Sequence, residues 1–221
     1  MIDLKQYGWN PSMLPENADD LPARVTAVHR DRYELICEYG TVFGRLKSSV
    51  YYGQDEEFPT VGDFVLIQYV ENGDSIIIKT LPRTSFFSRR DPTPGRGEQA
   101  VAANFDYCFV MTSLNNDFNL KRIERYLTLA WQSGAVPVVV LTKADLVKEC
   151  LTQVQAMQNI ANSVDIITVS AVTGHALDGL DEYLKPGKTV VFLGSSGVGK
   201  SSLVNALSGE TRDDYRYARY A

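Results

Sequence analysis

Residues 194–201 read Gly-Ser-Ser-Gly-Val-Gly-Lys-Ser, and every position fits the spacing G-x-x-x-x-G-K-S. A glycine-rich turn of this kind lets backbone N–H groups point inward around a phosphate, while the lysine adds positive charge and the last hydroxyl offers a metal ligand. The flanking residues fit this chemistry, because residues 188–193 form an apolar, β-branched run and residues 201–208 carry apolar side chains at helical spacing. The sequence therefore predicts a phosphate-binding loop between a buried strand and a helix N-terminus.

Each part of this loop has an expected role. Lys200 is the predicted catalytic residue, because its ammonium group would bridge the β- and γ-phosphates and stabilise charge on the leaving oxygens. Ser201 is the predicted Mg²⁺ ligand. The predicted phosphate-binding residues are Gly194, Ser195, Ser196, Gly197, Val198, Gly199, Lys200, Ser201 and Ser202. The competing interpretation is a glycine-rich turn that binds nothing.

A second motif, Thr142-Lys143-Ala144-Asp145, follows an apolar, strand-like run at residues 135–141. Open α/β sheets bind ligands at the carboxyl ends of their strands, so the motif is well placed to read a base. Asp145 can accept hydrogen bonds from guanine N1–H and the 2-amino group, a donor pair that adenine lacks, and Lys143 can lie along the base. Thr142 stands where an asparagine usually ties this loop to the phosphate loop, which predicts a modest nucleotide affinity. The alternative is an ordinary charged turn after a strand.

Ser170 and Ala171 follow the next strand-like run, residues 165–169, and predict a backbone N–H that meets guanine O6. The motifs thus occur in the order T-K-A-D, S-A, G-S-S-G-V-G-K-S. In an ordinary GTPase the phosphate loop opens the domain and the guanine-reading motifs close it. The reversed order predicts a circularly permuted GTP-binding domain.

Five short runs rich in Val, Ile, Tyr and Phe, separated by turn signals, precede these motifs. They cover residues 22–28, 33–38, 41–46, 63–69 and 75–80. Five strands in about 60 residues suit a small Greek-key barrel of the OB type, a fold that often binds nucleic acid on one face. The alternative is a barrel that serves only as a packing partner.

The predicted fold is therefore an N-terminal five-stranded, OB-like β-barrel followed by an α/β P-loop GTPase domain that is circularly permuted and truncated at its C-terminus. The predicted divisions are an RNA-binding barrel over 1–82, a linker over 83–100 and the GTPase domain over 101–221. Residues 209–221 contain no D-x-x-G, so the switch segments are not expected in this chain. Residues 119–131 carry an apolar stripe ending at Trp131 and predict a core-facing helix.

The charge balance limits where RNA could bind. With 22 Lys plus Arg against 27 Asp plus Glu, the formal net charge is −5, so any RNA contact must be local. The densest basic and aromatic stretch comprises Arg83, Phe86, Phe87, Arg89, Arg90 and Arg96. It predicts either phosphate and base contacts or an ordinary solvated linker.

The remaining composition indicates a reduced cytoplasmic protein. Cys37, Cys108 and Cys150 are far apart in the sequence, and neither histidine has a partner at metal-ligand spacing, so no zinc site is expected in this chain. No signal peptide is expected, and no apolar run approaches the ~20 residues that a membrane-spanning helix needs. We expect no membrane association and a monomer.

These motifs and their order resemble the bacterial small-ribosomal-subunit biogenesis GTPases of the RsgA/YjeQ type, as do residues 117–127 and 134–137. The resemblance implies hydrolysis of GTP to GDP and phosphate, with turnover that is slow until the ribosomal subunit orders the switches. It also implies a role in late maturation of the 30S subunit through 16S rRNA, and a zinc-binding C-terminal domain that is not expected within this sequence. Two alternatives remain: a nucleotide-gated RNA-binding module without turnover, and an ATP-using P-loop enzyme.

Overall fold

The computed structural model describes residues 1–15, 20–53, 56–90, 98–115 and 118–209. The chain divides into two compact units. The first comprises Met1–Phe105 together with Pro186–Thr189, and the second comprises Asp106–Lys185 and the chain from Val190 onward. A short segment late in the sequence, Pro186–Thr189, therefore belongs to the first unit. The predicted division into continuous ranges placed this segment in the GTPase domain.

The first unit is built on a closed barrel with the strand order β1-β2-β3-β5-β4. Its strands are β1 (Leu21–Val28), β2 (Tyr33–Cys37), β3 (Gly40–Leu46), β4 (Phe64–Gln68) and β5 (Ser75–Thr80), and a short helix α1 (Ser48–Tyr51) follows β3. All pairs are antiparallel except β3 with β5. Alternate residues of these strands fill the barrel with apolar side chains, among them Val25, Leu35 and Ile67. The predicted five-stranded barrel is confirmed.

The segment 83–100, predicted to be a linker, instead contains regular structure. Strand β6 (Phe86–Arg90) pairs antiparallel with β7 (Glu98–Ala103). Arg83 lies just before β6 and donates from Nε and Nη2 to the carboxylate of fully buried Asp63, at 2.8 and 2.7 Å. The prolines and glycines of this stretch suggested a linker, but the residues on either side of them pair, from Phe86 with Ala103 to Arg90 with Glu98. Residues 91–97, including Arg96, lie outside the described residues.

The second unit is an α/β layer around a four-stranded parallel sheet of order β10-β9-β8-β11. The strands are β8 (Tyr107–Ser113), β9 (Val136–Thr142), β10 (Asp165–Thr168) and β11 (Val190–Leu193), and the helices are α2 (Leu120–Gln132), α3 (Leu151–Ile160) and α4 (Lys200–Ser208). Short 3₁₀ segments cover Leu4–Tyr7, Pro11–Met13, Ala144–Leu146 and Leu177–Leu184.

Burial in this unit follows the sequence pattern with one exception. β9 is almost continuously buried, as expected of a central parallel strand covered on both faces. Ile123, Leu127 and Ala130 of α2 are buried, but Trp131 is 51% exposed. The predicted stripe was therefore wrong at Trp131, which lies one residue beyond the last buried turn of the helix. No helix in the described ranges is long and apolar enough to cross a membrane.

Gly62 shows how closely the end of β7 packs on the barrel. Its φ is +91°, and a Cβ there would lie 2.1 Å from the carbonyl oxygen of Ala103. We expect Gly62→Ala to lower the free energy of unfolding by more than about 3 kcal/mol, because backbone strain adds to the clash.

The matched control is Gly40→Ala, where φ is +113° and nothing lies within 4 Å of the added Cβ. This variant should cost only about 1–2 kcal/mol, from backbone strain alone. Urea denaturation of both variants measures the difference, and equal losses would contradict the packing argument.

Candidate functional site

The glycine-rich loop lies between β11, which ends at Leu193, and α4, which begins at Lys200. Gly197 and Gly199 have φ of +73° and +107°, a region that glycine adopts without strain. A Cβ on Gly194 would lie 2.8 Å from the carbonyl oxygen of Met111 in β8, so the loop begins in close contact with the neighbouring strand. The three glycines therefore have separate structural reasons, which supports the predicted phosphate-binding geometry.

Val198 anchors the middle of this loop. Its side chain is fully buried in the apolar core of the second unit, whereas the preceding residues Ser196 and Gly197 are exposed. The loop thus has an apolar anchor in the core and an exposed part that faces solvent.

Lys200 lies against its own loop. Its Nζ donates hydrogen bonds to the carbonyl oxygens of Gly194 and Ser195 at 2.8 and 2.9 Å. Partial burial lowers the pKa of Lys200 from its ordinary value. An arriving phosphate would therefore meet a partly desolvated ammonium group already held at the loop.

Thr142 ties the end of β9 to the phosphate loop. Its hydroxyl donates to the carbonyl oxygen of Val198 at 2.7 Å, and the side chain is buried. Threonine in place of asparagine predicted a modest nucleotide affinity, and that stays a prediction. The structure shows that the shorter side chain still makes a direct bond to the phosphate loop.

Lys143 makes a second tie. Its Nζ donates to the carbonyl oxygen of Gly197 at 2.7 Å, and its backbone has left-handed angles of φ 60° and ψ 41°. A non-glycine residue in this region carries strain of about 1–2 kcal/mol, which the surrounding structure must offset. The bond from Lys143 to the loop contributes to that compensation.

Asp145 and Ser170 meet at the carboxyl ends of β9 and β10. The Ser170 hydroxyl, which is fully buried, donates to Oδ1 of Asp145 at 2.5 Å. The Ala144 N–H donates to the carbonyl of Val169 at 3.2 Å, which joins the two loops through their backbones. Asp145 itself is exposed, and Ala171 follows Ser170 at the partly buried edge of the same loop. The predicted base-reading residues are thus brought together.

The arrangement can hold a base and a phosphate at the same time. β10 and β11 lie three strand spacings apart, or about 14 Å, with β9 and β8 between them. The base-reading residues follow β9 and β10, and the phosphate loop follows β11. All of them lie at the carboxyl edge of the sheet, where open α/β sheets bind their ligands.

The residues present also fit a magnesium ion that arrives with phosphates. Ser201 and Ser202 are exposed in the first turn of α4, and Ser201 can contribute one hydroxyl oxygen. Within the described ranges, no group of three or more His, Cys, Asp or Glu could hold a metal ion. Mg²⁺ commonly takes one or two protein ligands and completes its shell with phosphates and water, so a single hydroxyl is compatible.

Sequence reasoning missed three contacts at this site: the Thr142 tie, the Lys143 tie and the bond between Ser170 and Asp145. Each joins residues at least 25 positions apart. Only the residue types gave a signal, because all four side chains belong to motifs already singled out.

Comparisons with known proteins agree with this geometry. A family profile described as RsgA GTPase matches residues 80–217. The chain is 44% identical over 209 residues to small ribosomal subunit biogenesis GTPase RsgA 1 of Listeria monocytogenes, covering 93% of this chain and 59% of that relative. It is 46% identical over 154 residues to the RsgA of Methanosarcina acetivorans, covering 69% and 42% respectively. The chain thus spans less than two thirds of the length of these relatives.

Solved structures show the same architecture. YjeQ from Thermotoga maritima matches with a TM-score of 0.72 and 28% identity, over 85% of this chain and 64% of that one. YloQ, described as a circularly permuted GTPase, matches with a TM-score of 0.59 and 21% identity over 89% and 67%, which supports the fold alone. The predicted fold class, a barrel with a circularly permuted GTPase unit, is confirmed.

The Thr142 tie can be tested directly. Thr142→Val keeps the shape of the side chain but loses the donor to Val198, so we expect GDP affinity to fall about three- to tenfold. Thr142→Ser retains a hydroxyl and should remain within about twofold of the wild type. Isothermal titration with GDP measures both, and equal losses in the two variants would exclude the hydroxyl as the cause.

Proposed function

Because the chain belongs to the RsgA GTPase family, we propose that it binds GTP with Mg²⁺ and hydrolyses it to GDP and phosphate. The observation that carries this proposal is the pair of ties from Thr142 and Lys143 to the phosphate loop, at 2.7 Å each. They join a loop suited to guanine with a loop suited to phosphates, and a guanine nucleotide is the ligand that uses both.

Guanine selectivity is assigned to Asp145. Its carboxylate can accept from guanine N1–H and the 2-amino group, while Ser170 holds one of its oxygens at 2.5 Å. A carboxylate fixed in this way needs little reorganisation when the base arrives. The backbone N–H of Ala171 is assigned to guanine O6.

Hydrolysis in this proposal depends on positioning and charge. Lys200 and the backbone N–H groups of the loop stabilise the negative charge that develops on the leaving oxygens, and water attacks the γ-phosphate in line. Mg²⁺, when bound to Ser201, supplies further charge neutralisation. The ammonium of Lys200 already lies at the loop, 2.8 Å from the carbonyl oxygen of Gly194.

The cellular role we propose is late maturation of the small ribosomal subunit, with 16S rRNA as the contact and with the chain acting as a monomer in the cytoplasm. Support comes from the relatives at 44% and 46% identity, which are named small ribosomal subunit biogenesis GTPases. The first unit supplies the OB-type barrel, a fold that uses its β2–β3 face and the loops β1–β2 and β4–β5 to bind oligonucleotides.

That face of the barrel carries a basic and aromatic cluster. The guanidinium of Arg32 lies 3.5 Å from the ring centre of Phe43. Arg32 and Arg45 both reach Asp74 in the β4–β5 loop, at 3.4 and 2.5 Å, and their side chains remain 40% and 61% exposed. Arg30 is exposed in the β1–β2 loop. Guanidinium groups at this face can contact phosphates, and the Arg32–Phe43 stack offers a surface for an unpaired base.

The stretch beginning at Arg83, for which the sequence left RNA contact and an ordinary linker both open, is less suited to RNA binding. The side chain of Arg83 is only 13% exposed, because it pairs with Asp63 and Glu57 and its guanidinium lies 4.4 Å from the ring centre of Phe86. Arg89 donates to Gln99 at 3.2 Å. We therefore assign the RNA contact to the barrel face around Arg30, Arg32 and Arg45.

Nucleotide choice is tested by titrating GDP, GTP and ADP into the chain with Mg²⁺, and xanthosine diphosphate into Asp145→Asn. We expect guanine-selective binding that shifts toward xanthine in the variant, because the amide can donate to the xanthine 2-oxygen. An unchanged preference in Asp145→Asn would favour an ATP-using P-loop enzyme. Nucleotide binding without measurable phosphate release would favour a nucleotide-gated module without turnover.

RNA binding is tested with a fluorescein-labelled single-stranded RNA of about 20 nucleotides, long enough to fill one OB-type site. We expect the double variant Arg30→Gln, Arg45→Gln to bind about tenfold more weakly at low salt, and the slope of log affinity against log salt to fall by about 1.4. Arg89→Gln, an exposed arginine in β6, is the control and should bind as the wild type does. A loss in Arg89→Gln alone would return the assignment to the 83–96 stretch.

A further inference from the structure

Two neighbouring strands of the nucleotide-binding unit begin within two residues of chain segments that belong to the barrel unit. The first unit ends at Phe105, and β8 starts at Tyr107. The segment Pro186–Thr189 also belongs to the first unit, and β11 starts at the next residue, Val190. β8 and β11 pair in parallel with Tyr107 opposite Val190. The starts of both strands are therefore set by the chain segments that precede them.

One buried guanidinium holds both of these segments. Arg24 of β1 donates from Nη1 to the hydroxyl of Thr189 and from Nη2 to the carbonyl oxygen of Asn104, each at 2.8 Å. The residue is only 7% exposed. It also donates from Nε to the carbonyl of Gly62 at 3.2 Å, and the backbone carbonyl of Tyr7 accepts a further bond from Nη1.

The segment before β11 is held a second time, by the N-terminal residues. The Gly187 N–H donates to the carbonyl of Gln6 at 2.9 Å. Gly8 and Gly187 have φ of +81° and +84°, and a Cβ on Gly8 would lie 3.0 Å from the oxygen of Gly187. A Cβ on Gly187 would lie 3.0 Å from the oxygen of Lys5. This close packing leaves the segment little freedom to slide.

We propose that Arg24 is a positioning residue for the phosphate loop. By holding Asn104 and Thr189 together, it sets the offset between β8 and β11, and β11 carries that offset to Gly194 across only four residues, about 13 Å. The close approach of Gly194 to Met111 of β8 allows little error in this offset. The proposal rests on the assignment of residues 194–201 as the nucleotide site.

The test variant is Thr189→Val, which removes the acceptor for Arg24 while keeping the guanidinium and its other partners. Thr189→Ser keeps the hydroxyl. Thr26→Val is the matched control. Thr26 also lies in the first unit, and its hydroxyl donates to Glu34 at 3.0 Å, away from the segments that precede β8 and β11. Arg24→Lys is a second variant, used if it remains folded by circular dichroism.

Two readouts are needed. We expect Thr189→Val to release the fluorescent nucleotide N-methylanthraniloyl-GDP about three- to tenfold faster than the wild type, in line with one lost hydrogen bond. In the nucleotide-free chain, the β11 amides that bond to β8 should exchange with deuterium at least about threefold faster, while barrel amides in β2 and β3 stay unchanged. Thr189→Ser and Thr26→Val should match the wild type in both.

Faster exchange throughout the barrel, with no selective change in β11, would show a merely structural role and overturn the proposal. So would a Thr189→Val variant equal to the wild type in both readouts. If the wild-type chain binds no GDP, the nucleotide assignment fails, and the exchange measurement alone decides whether Arg24 positions β11.

Discussion

The phosphate loop is held in place by side chains from another strand, and the site depends on this constraint. Thr142 reaches the carbonyl of Val198 across 56 residues of sequence, and Lys143 reaches Gly197 across 54. These bonds fix the two halves of the site relative to each other whatever the order in which the chain supplies them. A circular permutation can therefore move the base-reading loop ahead of the phosphate loop without changing the geometry, because the sheet and the two ties preserve it.

Buried charged groups perform a similar task in the barrel unit. Asp63 is fully buried and receives two bonds from Arg83, while Arg24 is shared among four backbone or hydroxyl oxygens. A buried ion pair or guanidinium adds little net stability over an apolar replacement, but losing one partner is costly. Such groups favour one arrangement of the segments that they join. Here these are the barrel, the start of β6 and the segments at Asn104 and Thr189 that precede β8 and β11.

The features that the sequence predicted are local ones. The G-x-x-x-x-G-K-S spacing, the three strands before the motifs and the five barrel strands are encoded in consecutive residues, and the structure has them all. The misses are nonlocal. The sequence did not show the partner of Arg83, because Asp63 lies 20 residues away. It did not show the Thr142 tie either, because the acceptor is a backbone oxygen that no residue type reveals. The prediction that Trp131 faces the core was wrong for another reason, because periodicity does not show where the core beneath a helix ends.

Under the proposed function, the contacts that organise the site also bear on how it would distinguish GTP from GDP. In the proposed assignment, Thr142, Lys143, Asp145 and Ser170 would organise the base and the loop around the β-phosphate, which GTP and GDP share. Among the described residues that organise the site, Lys200 is the one assigned to the γ-phosphate, and without ligand its ammonium is bound by the carbonyls of Gly194 and Ser195. A γ-phosphate must therefore compete with two backbone oxygens as well as with water for this charge. Binding energy from these residues would then fall mainly on parts common to both nucleotides, so strong discrimination between GTP and GDP would require contacts beyond these residues.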